Sequence, residues 1–329
     1  MSATDRNLVP MLAIGAVALV APFLLPDYEI QLALLWVMIL FALTWDIMGG
    51  QMGYNSFGNI LYFGLGMYVC AVIQRDAGLG YFPGLFAGLA AGAVFSVFVA
   101  AILGSGLLGL RGHYFAIGTL GLGIAAGEIA SGWEYIGAGS GMVTPIYPGA
   151  IGGRQTFFYF ASFVLTAATF IALKRIYAGR FGLAINAIRD DEDKAEAMGL
   201  HTTRYKTVAW CVSAFFLSMA GGLFGNLNGF IDPRDVAFAG PTYGVFMVLM
   251  AILGGKGTIW GPVIGATVFH VMQEVFWTYL LGWQRVALGL LIVVIVVFFP
   301  QGILGWARER FPERFGIRVE AATDDADGR

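Results

Sequence analysis

The chain has 329 residues, of which 58% are hydrophobic and 12% are charged, and its formal net charge is −2. Soluble domains carry about 25% charged residues, so the long apolar runs exclude a water-soluble fold, and the net charge offers no basic surface for nucleic acid. We predict an all-α polytopic membrane protein that forms a single domain over residues 1–329.

About ten transmembrane or re-entrant helices are predicted, because a hydrocarbon core of roughly 30 Å needs about 20 apolar residues per helix. The first run is interpreted as an anchoring span rather than a signal peptide, since no small-residue cleavage site precedes Pro26. The third run is short and contains Gly64 and Gly66, so either a re-entrant or a spanning segment is possible. In chain order the runs are Leu8–Leu25, Ile30–Met48, Asn59–Gln74, Phe82–Leu103, His113–Ser131, Thr156–Ile176, Thr207–Asn228, Tyr243–Leu253, Pro262–Leu280 and Arg285–Phe299.

Residues 174–206, here called the charged segment, carry seven basic and five acidic residues. A loop over about residues 177–205 is predicted, with a short helix over Asp190–Gly199. Asp190 would cap the start of this helix, and Gly199 would end it in the left-handed conformation. A solvated loop helix without a partner is the alternative. The acids that favour the positive end of the helix dipole are Asp191, Glu192 and Asp193.

The distribution of Lys and Arg predicts the orientation in the membrane. Ten crossings place both termini, the charged segment and the tail at about 301–329 on one side, together with fifteen of the nineteen basic residues. Basic residues accumulate on the cytoplasmic side, so this side is predicted to be cytoplasmic. The four basic residues on the other side are Arg75, Arg154, Arg234 and Arg285.

Polar residues near glycine breaks are candidates for lining a passage through the membrane. A structural role at helix–helix contacts is the alternative for each of them. No catalytic set, metal-ligand spacing or cofactor motif is visible, so neither an enzyme nor a cofactor is predicted. The candidate passage residues are Asn55, Ser56, Asn59, Thr119 and Glu128.

A glycine-rich stretch at Gly254–Thr258 superficially resembles a phosphate-binding loop. That motif needs GxxxxGK followed directly by Ser or Thr. Here Met250 occupies the position of the first glycine, and Gly257 follows Lys256. No ATP site is therefore predicted in this chain.

The stretch GRFGLAINAIRDDEDKAEAMG at Gly179–Gly199 resembles the cytoplasmic coupling motif of bacterial ATP-binding-cassette importers. Three further stretches are similar, in the same order, to segments of the branched-chain amino acid permease family of the LivM type. They are GYNSFGNILYFGLGMY at Gly53–Tyr68, LRGHYFAIGTLGLGIAAGEI at Leu110–Ile129 and LGGKGTIWGPVIGA at Leu253–Ala266.

This resemblance implies a permease subunit of the bacterial inner (cytoplasmic) membrane. It implies as partners a second, LivH-like permease, two ATP-binding-cassette ATPases and a periplasmic substrate-binding protein. The helix at Asp190–Gly199 would sit in a groove on one ATPase. The ATPase-coupling residues implied are Arg189, Asp190, Asp191, Glu192, Glu196, Ala197 and Gly199.

The sequence leaves the transported solute open. Branched-chain or other hydrophobic amino acids are the family default, and urea, short amides or aromatic acids are alternatives within the family. A second class of function is an ion-coupled secondary transporter, which needs acids or histidines at mid-membrane. His270 and Glu274 are the residues that such a transporter could use.

Overall fold

The computed structural model describes residues 3–298 and 301–310, which form α-helices and one short antiparallel ladder. The ladder pairs β1 (Met142–Val143) with β2 (Phe230–Ile231). The prediction of an all-α fold is confirmed. The helices are α1 (Ala3–Leu24), α2 (Glu29–Gly49), α3 (Ile60–Asp76), α4 (Tyr81–Leu107), α5 (Gly112–Gly132), α6 (Ile151–Ala178), α7 (Arg180–Asp190), α8 (Glu192–Ala197), α9 (Thr202–Asn228), α10 (Val245–Gly254), α11 (Gly261–Tyr279), α12 (Gln284–Phe298) and α13 (Gly302–Arg310).

Five described helices are long and apolar enough to cross a membrane. At 1.5 Å per residue, even the shortest of them is about 30 Å long, which matches the hydrocarbon core. Shorter apolar helices at Ile14–Leu24 and Val245–Gly254 accompany them. The chain is therefore a multi-pass membrane protein. The five long spans are Pro26–Gly49, Tyr81–Leu107, Gly112–Gly132, Gly152–Ala178 and Thr202–Asn228.

The helix bundle has two ends, which contacts between distant residues identify. At one end the charged segment meets the α4–α5 turn, where Lys206 Nζ donates to Leu108 O at 2.7 Å; we call this the charged end. At the other, Arg75 Nη1 donates to Tyr135 O at 2.9 Å; we call this the connector end, after residues 133–150. Beyond residue 310, the predicted tail lies outside the described residues.

The third segment crosses the bundle, but only part of it is helical. Residues 50–59, here called the first interruption, enter from the charged end without regular structure. Phe57 N donates to Thr119 Oγ1 at 3.1 Å, and Thr119 lies about 10 Å inside α5 at 1.5 Å per residue. From there α3 runs to the connector end. The segment is thus spanning and discontinuous rather than re-entrant.

A second interruption, residues 229–244, enters from the connector end and contains two wide π-type turns, Pro233–Ala237 and Gly240–Gly244. From it α10 completes the crossing to the charged end. The two interruptions meet inside the bundle, because a Cβ added to Gly244 would lie 3.3 Å from Phe57 O and 3.8 Å from Ile60 Cβ. Irregular backbone at this depth is tolerated because protein surrounds it.

Small residues set the distance between the central helices α3, α4 and α9. A Cβ added to Gly66 of α3 would lie 2.0 Å from Ser218 O of α9, and one added to Gly221 of α9 would lie 2.0 Å from Phe63 O of α3. Helix α4 carries a small residue at every fourth position of one stripe, and this stripe is buried, as is typical of tightly packed membrane helices. Its members are Gly84, Gly88, Gly92, Ser96 and Ala100.

Replacing Gly66 by alanine should destabilise the bundle, because the added methyl group would collide with the α9 backbone. Overpacking of this kind costs about 1–3 kcal/mol. The matched control is Gly121→Ala in α5, where an added Cβ meets nothing within 4 Å. Thermal unfolding in detergent should show a lower midpoint for Gly66→Ala only. Equal midpoints for the two variants would contradict the close α3–α9 contact.

Candidate functional site

The charged segment folds into two helices where the sequence predicted one. The first, α7, buries Gly182, Ala184, Ile185 and Ile188 on one face. A Cβ added to Gly182 would lie 2.1 Å from Tyr177 O, so glycine permits the sharp turn from α6 into α7. Asp190 is the last residue of α7, and the prediction that the short helix begins there is wrong.

The second helix, α8, has defined caps at both ends. Asp191, not the predicted Asp190, is its N-cap, and its carboxylate accepts from Lys194 N at 3.0 Å. That hydrogen bond holds the pKa of Asp191 below its usual range. Gly199 ends the helix at φ +88° as predicted. The bonds Gly199 N→Glu196 O and Leu200 N→Ala195 O form a Schellman motif.

A buried ion pair fastens α8 to the first turns of α9. Glu192 of α8 and Lys206 of α9 pair at 2.7 Å, with side chains 11% and 2% exposed. Lys206 Nζ also donates to Leu108 O at 2.7 Å and lies 3.1 Å from Tyr54 Oη. The Tyr54 hydroxyl donates to the other Glu192 oxygen. We call Glu192, Lys206, Tyr54 and Leu108 the anchor, because it joins α8, α9, the first interruption and the α4–α5 turn.

The charges of the anchor stabilise one another. Burial raises the pKa of Glu192, but the hydrogen bonds from Lys206 and Tyr54 outweigh it and lower the pKa below its usual range. The anchor therefore holds an ionised carboxylate between the Lys206 side chain and the Tyr54 hydroxyl.

Further contacts tie the charged segment to its surroundings. Arg111, in the α4–α5 turn, pairs with Asp193 at 2.7 Å. Thr202 Oγ1 donates to Glu196 Oε1 at 2.5 Å. Arg189 pairs with Asp190 and packs on Gly53, where an added Cβ would lie 3.3 Å from Arg189 Cγ. The segment is therefore attached to the bundle at several points.

The side of the charged segment that faces away from the bundle carries exposed apolar side chains. Leu183 of α7 is 71% exposed, and Met198, just after α8, is 85% exposed. Next to Met198 lies an open groove of about 550 Å³, lined by residues 196 and 199–204. Exposed apolar groups beside polar ones indicate an interaction surface. Of the predicted coupling residues, Arg189, Asp190, Glu196, Ala197 and Gly199 lie on exposed positions, whereas Glu192 points inward.

The candidate passage residues do not line one cavity. Ser56, Asn59 and Thr119 are fully buried. Ser56 Oγ and Trp210 Nε1 donate to Asn59 Oδ1 at 2.9 and 3.2 Å, and Asn59 Nδ2 donates to Ser213 Oγ at 3.2 Å. These hydrogen bonds join the first interruption to α9.

The two remaining candidates, Asn55 and Glu128, are exposed. Glu128 pairs with Arg234 at 2.7 Å near the connector end. For the alternative ion-coupled transporter, His270 Nε2 lies 2.9 Å from Gln31 O, so its ring bridges α11 and α2. Glu274 makes no salt bridge within the described residues.

Sequence reasoning did not identify Lys206, Tyr54 or Arg111 as members of the site. Lys206 entered the sequence analysis only as one of the basic residues of the charged segment. Tyr54 lies 152 positions away from it in the chain. A signal was nevertheless present. An ammonium group at the very edge of an apolar span needs an anion or a carbonyl close by, and Glu192 is 14 residues upstream.

Comparison with known proteins connects this geometry to a family. Residues 29–298 match the family described as branched-chain amino acid transport system / permease component. The high-affinity branched-chain amino acid transport system permease protein LivM of Salmonella typhimurium is 26% identical over 95% of this chain and 78% of its own length, and that of Escherichia coli is equally similar. The LivH protein of Salmonella typhimurium is 32% identical over 43% of this chain. No solved structure matches.

Replacing Lys206 by methionine should destabilise the protein strongly, because Glu192 loses its closest and most buried partner and keeps only the longer pair with the exposed Arg111, at 3.5 Å. Breaking a buried pair in this way costs about 3–5 kcal/mol. Thermal unfolding of Lys206→Met, Glu192→Gln and the double variant should give a loss for the double variant well below the sum of the single losses. Lys194→Met, which breaks the exposed pair with Asp191, is the control and should cost within about 0.5 kcal/mol. Additive losses would refute the anchor.

The anchor should also respond to acid in a defined direction. The folded pKa of Glu192 is lowered, so its stabilisation is present above the usual value of about 4.3 and is lost as the pH falls through the folded value. The difference in unfolding midpoint between the wild type and Glu192→Gln should stay constant between about pH 6 and 8 and shrink below about pH 4. A difference that grows on acidification would contradict this assignment.

Proposed function

This chain belongs to the branched-chain amino acid transport permease family, and we propose that it is the membrane subunit of an ATP-driven importer for branched-chain or other hydrophobic amino acids. Its proposed partners are a second, LivH-like permease, two ATP-binding-cassette ATPases and a periplasmic substrate-binding protein. ATP hydrolysis takes place in the ATPases, and this chain converts their movement into opening and closing of a passage.

One observation carries this proposal: α8 is anchored on its inner side and exposed on its outer side. Glu192 and Lys206 hold α8 to the spans, while Met198 and Leu183 remain available to a partner. A partner ATPase bound to the exposed side of α8 would move the membrane helices without contacting them directly. The coupling roles of Arg189, Asp190, Asp191, Glu192, Glu196, Ala197 and Gly199 belong to this proposal.

The anchor provides a mechanical path from α8 into the bundle. Lys206 is part of α9, and α9 holds Asn59 of the first interruption through Trp210 and Ser213. The first interruption in turn contacts the second at Gly244. A tilt of α8 therefore reaches both interrupted crossings, where irregular backbone can change conformation more easily than a helix. We place the moving part of the passage at this contact, with Asn55, Ser56, Asn59, Thr119 and Glu128 as candidate lining residues in the open state.

The proposed location is the bacterial inner membrane, with the charged end in the cytoplasm. Arg111 of the α4–α5 turn and Lys256 of the α10–α11 turn join the charged segment at that end. Arg75 and Arg234 lie at the connector end, each paired with an acid. The excess of basic residues at the charged end supports a cytoplasmic assignment for it and for both termini.

Charge placed on the exposed side of α8 should detach the ATPases. Met198→Asp leaves the buried anchor intact but puts a carboxylate where an apolar contact is proposed. Pull-down of the co-expressed complex should recover the second permease but little ATPase. The control is Ile146→Asp, which changes an equally exposed apolar residue (91% exposed) at the connector end and should leave the ATPases bound.

Coupling itself is tested by transport in proteoliposomes. Replacing Glu196 and Gly199 together should abolish uptake while the affinity for the loaded binding protein stays unchanged. Competition with a panel of amino acids, urea, short amides and aromatic acids then identifies the solute. ATP-independent uptake by the purified chain with an ion gradient would overturn the importer assignment in favour of a secondary transporter.

A further inference from the structure

A large apolar cleft opens between α4, α6 and α9, apart from the anchor and from both interruptions. Its volume is about 1020 Å³, and Thr156 is the one polar side chain among the residues that line it. Ligand pockets usually measure about 300–1,000 Å³, so the cleft is large enough for a sizeable apolar molecule. Its walls are formed by Leu89 and Ala90 of α4, Phe160 and Ala161 of α6, and Met219 of α9.

A polar pocket adjoins the cleft at the connector end. It has a volume of about 230 Å³ and is lined by Thr144, Tyr147 and Arg154, among others. Arg154 lines this pocket, and its neighbour Gly153 lines the cleft. The apolar cleft and the polar pocket thus meet within one turn of α6.

Aromatic rings mark the boundary between the two spaces. The ring of Tyr147 lies 5.5 Å from that of Tyr81, 5.8 Å from that of Phe82 and 6.1 Å from that of Phe157. Tyrosine and tryptophan rings collect at the level of the lipid headgroups in membrane proteins. The cluster therefore places the head of the cleft at a membrane surface.

Arg154 differs from the other cations described at the connector end. Arg75 pairs with Asp76, and Arg234 pairs with Glu128. No described carboxylate lies within ion-pair distance of Arg154, whose Nη2 donates to the carbonyls of Asn226 and Leu227 at the end of α9. A guanidinium group has five N–H donors, and both of these hydrogen bonds come from Nη2. The other N–H groups of Arg154 are therefore available to an anion in the polar pocket.

The dimensions of the cleft match one leaflet of a bilayer. Its lining residues run from Leu85 to Val94 on α4 and from Gly153 to Ala168 on α6, which is about 14 Å and 22 Å at 1.5 Å per residue. Half of a hydrocarbon core of roughly 30 Å is about 15 Å. The cleft therefore reaches from the membrane surface to about the bilayer centre along α4 and continues past the centre along α6.

An amino acid does not suit this cleft, because its ammonium and carboxylate groups would lack polar partners there. The geometry points to a glycerophospholipid as the occupant, with an acyl chain in the cleft between α4, α6 and α9 and its phosphate at Arg154. The site goes beyond the transport function and does not depend on it, since it lies on helices away from α8. The bound lipid fills the space between α4 and α6 where they diverge over α9.

The test uses the full chain, co-expressed with its second permease and reconstituted in nanodiscs with a phosphatidylethanolamine that carries a diazirine on one acyl chain. Irradiation and peptide mapping should find label on the cleft residues of α4 and α6. Ala90→Trp fills the cleft and should reduce this label by about tenfold, the effect of about 1.4 kcal/mol of lost binding.

The matched control is Ala87→Trp, because Ala87 is exposed on the same helix but does not line the cleft. It should label like the wild type. Equal labelling of Ala90→Trp and the wild type would overturn the proposal. Label on the second permease with none on the cleft residues would also overturn it, since a protein helix would then occupy the cleft.

A second arm tests the headgroup contact. A diacylglycerol probe with the same acyl chains lacks the phosphate, so Arg154→Gln should lower labelling by the phospholipid probe and leave labelling by diacylglycerol unchanged. Arg154→Lys keeps the positive charge and should retain most of the phospholipid label. An equal loss of both probes in Arg154→Gln would show that Arg154 only caps α9 and would remove the phosphate from the proposal.

Discussion

The arrangement of the charged segment depends on the ion pair between Glu192 and Lys206. A buried pair of this kind contributes little net stability, because desolvation of both charges offsets their attraction. Its effect is to fix geometry. The Tyr54 hydroxyl binds the Glu192 carboxylate, and Leu108 O accepts a hydrogen bond from Lys206. The Lys206 ammonium group therefore has one position in which all of these hydrogen bonds form. Helix α8 is thereby held at one angle to α9. A helix of six residues is too short to be stable alone, so this attachment and its two caps are what define α8.

The interruptions give the bundle its second constraint. Each replaces half of a crossing with irregular backbone, the first from the charged end and the second from the connector end, and they meet at Phe57 and Gly244. Long helices on either side, α2, α5 and α9, carry the polar groups that satisfy the first interruption. Rigid spans therefore surround a centre that is the part of the described bundle best able to rearrange, and the anchor connects this centre to the charged end.

Apolar run lengths predicted the five long spans well, since a hydrocarbon core imposes a similar length on each of them. The stripe of small residues in α4 was predictable too, because small residues at every fourth position of a membrane helix are typical of close helix packing. Sequence placed the cap at Asp190 rather than Asp191, as neighbouring aspartates have equal capping ability and only the turn after α7 distinguishes them. It could not find the Tyr54 contact of the anchor, because Tyr54 and Lys206 become neighbours only through the packing of α9 beside the first interruption. The burial of Ser56, Asn59 and Thr119 was likewise decided by tertiary packing.

Asn59 finds two of its three partners on α9, at Trp210 and Ser213, some 150 residues further along the chain. While the protein is being synthesised, the third segment therefore reaches the membrane long before the groups that satisfy it exist. A polar stretch without partners is costly in lipid, so this crossing can reach its final position only after α9 has been inserted. Biogenesis of the bundle thus includes a late step, in which the third segment reaches its final position after α9 has been inserted.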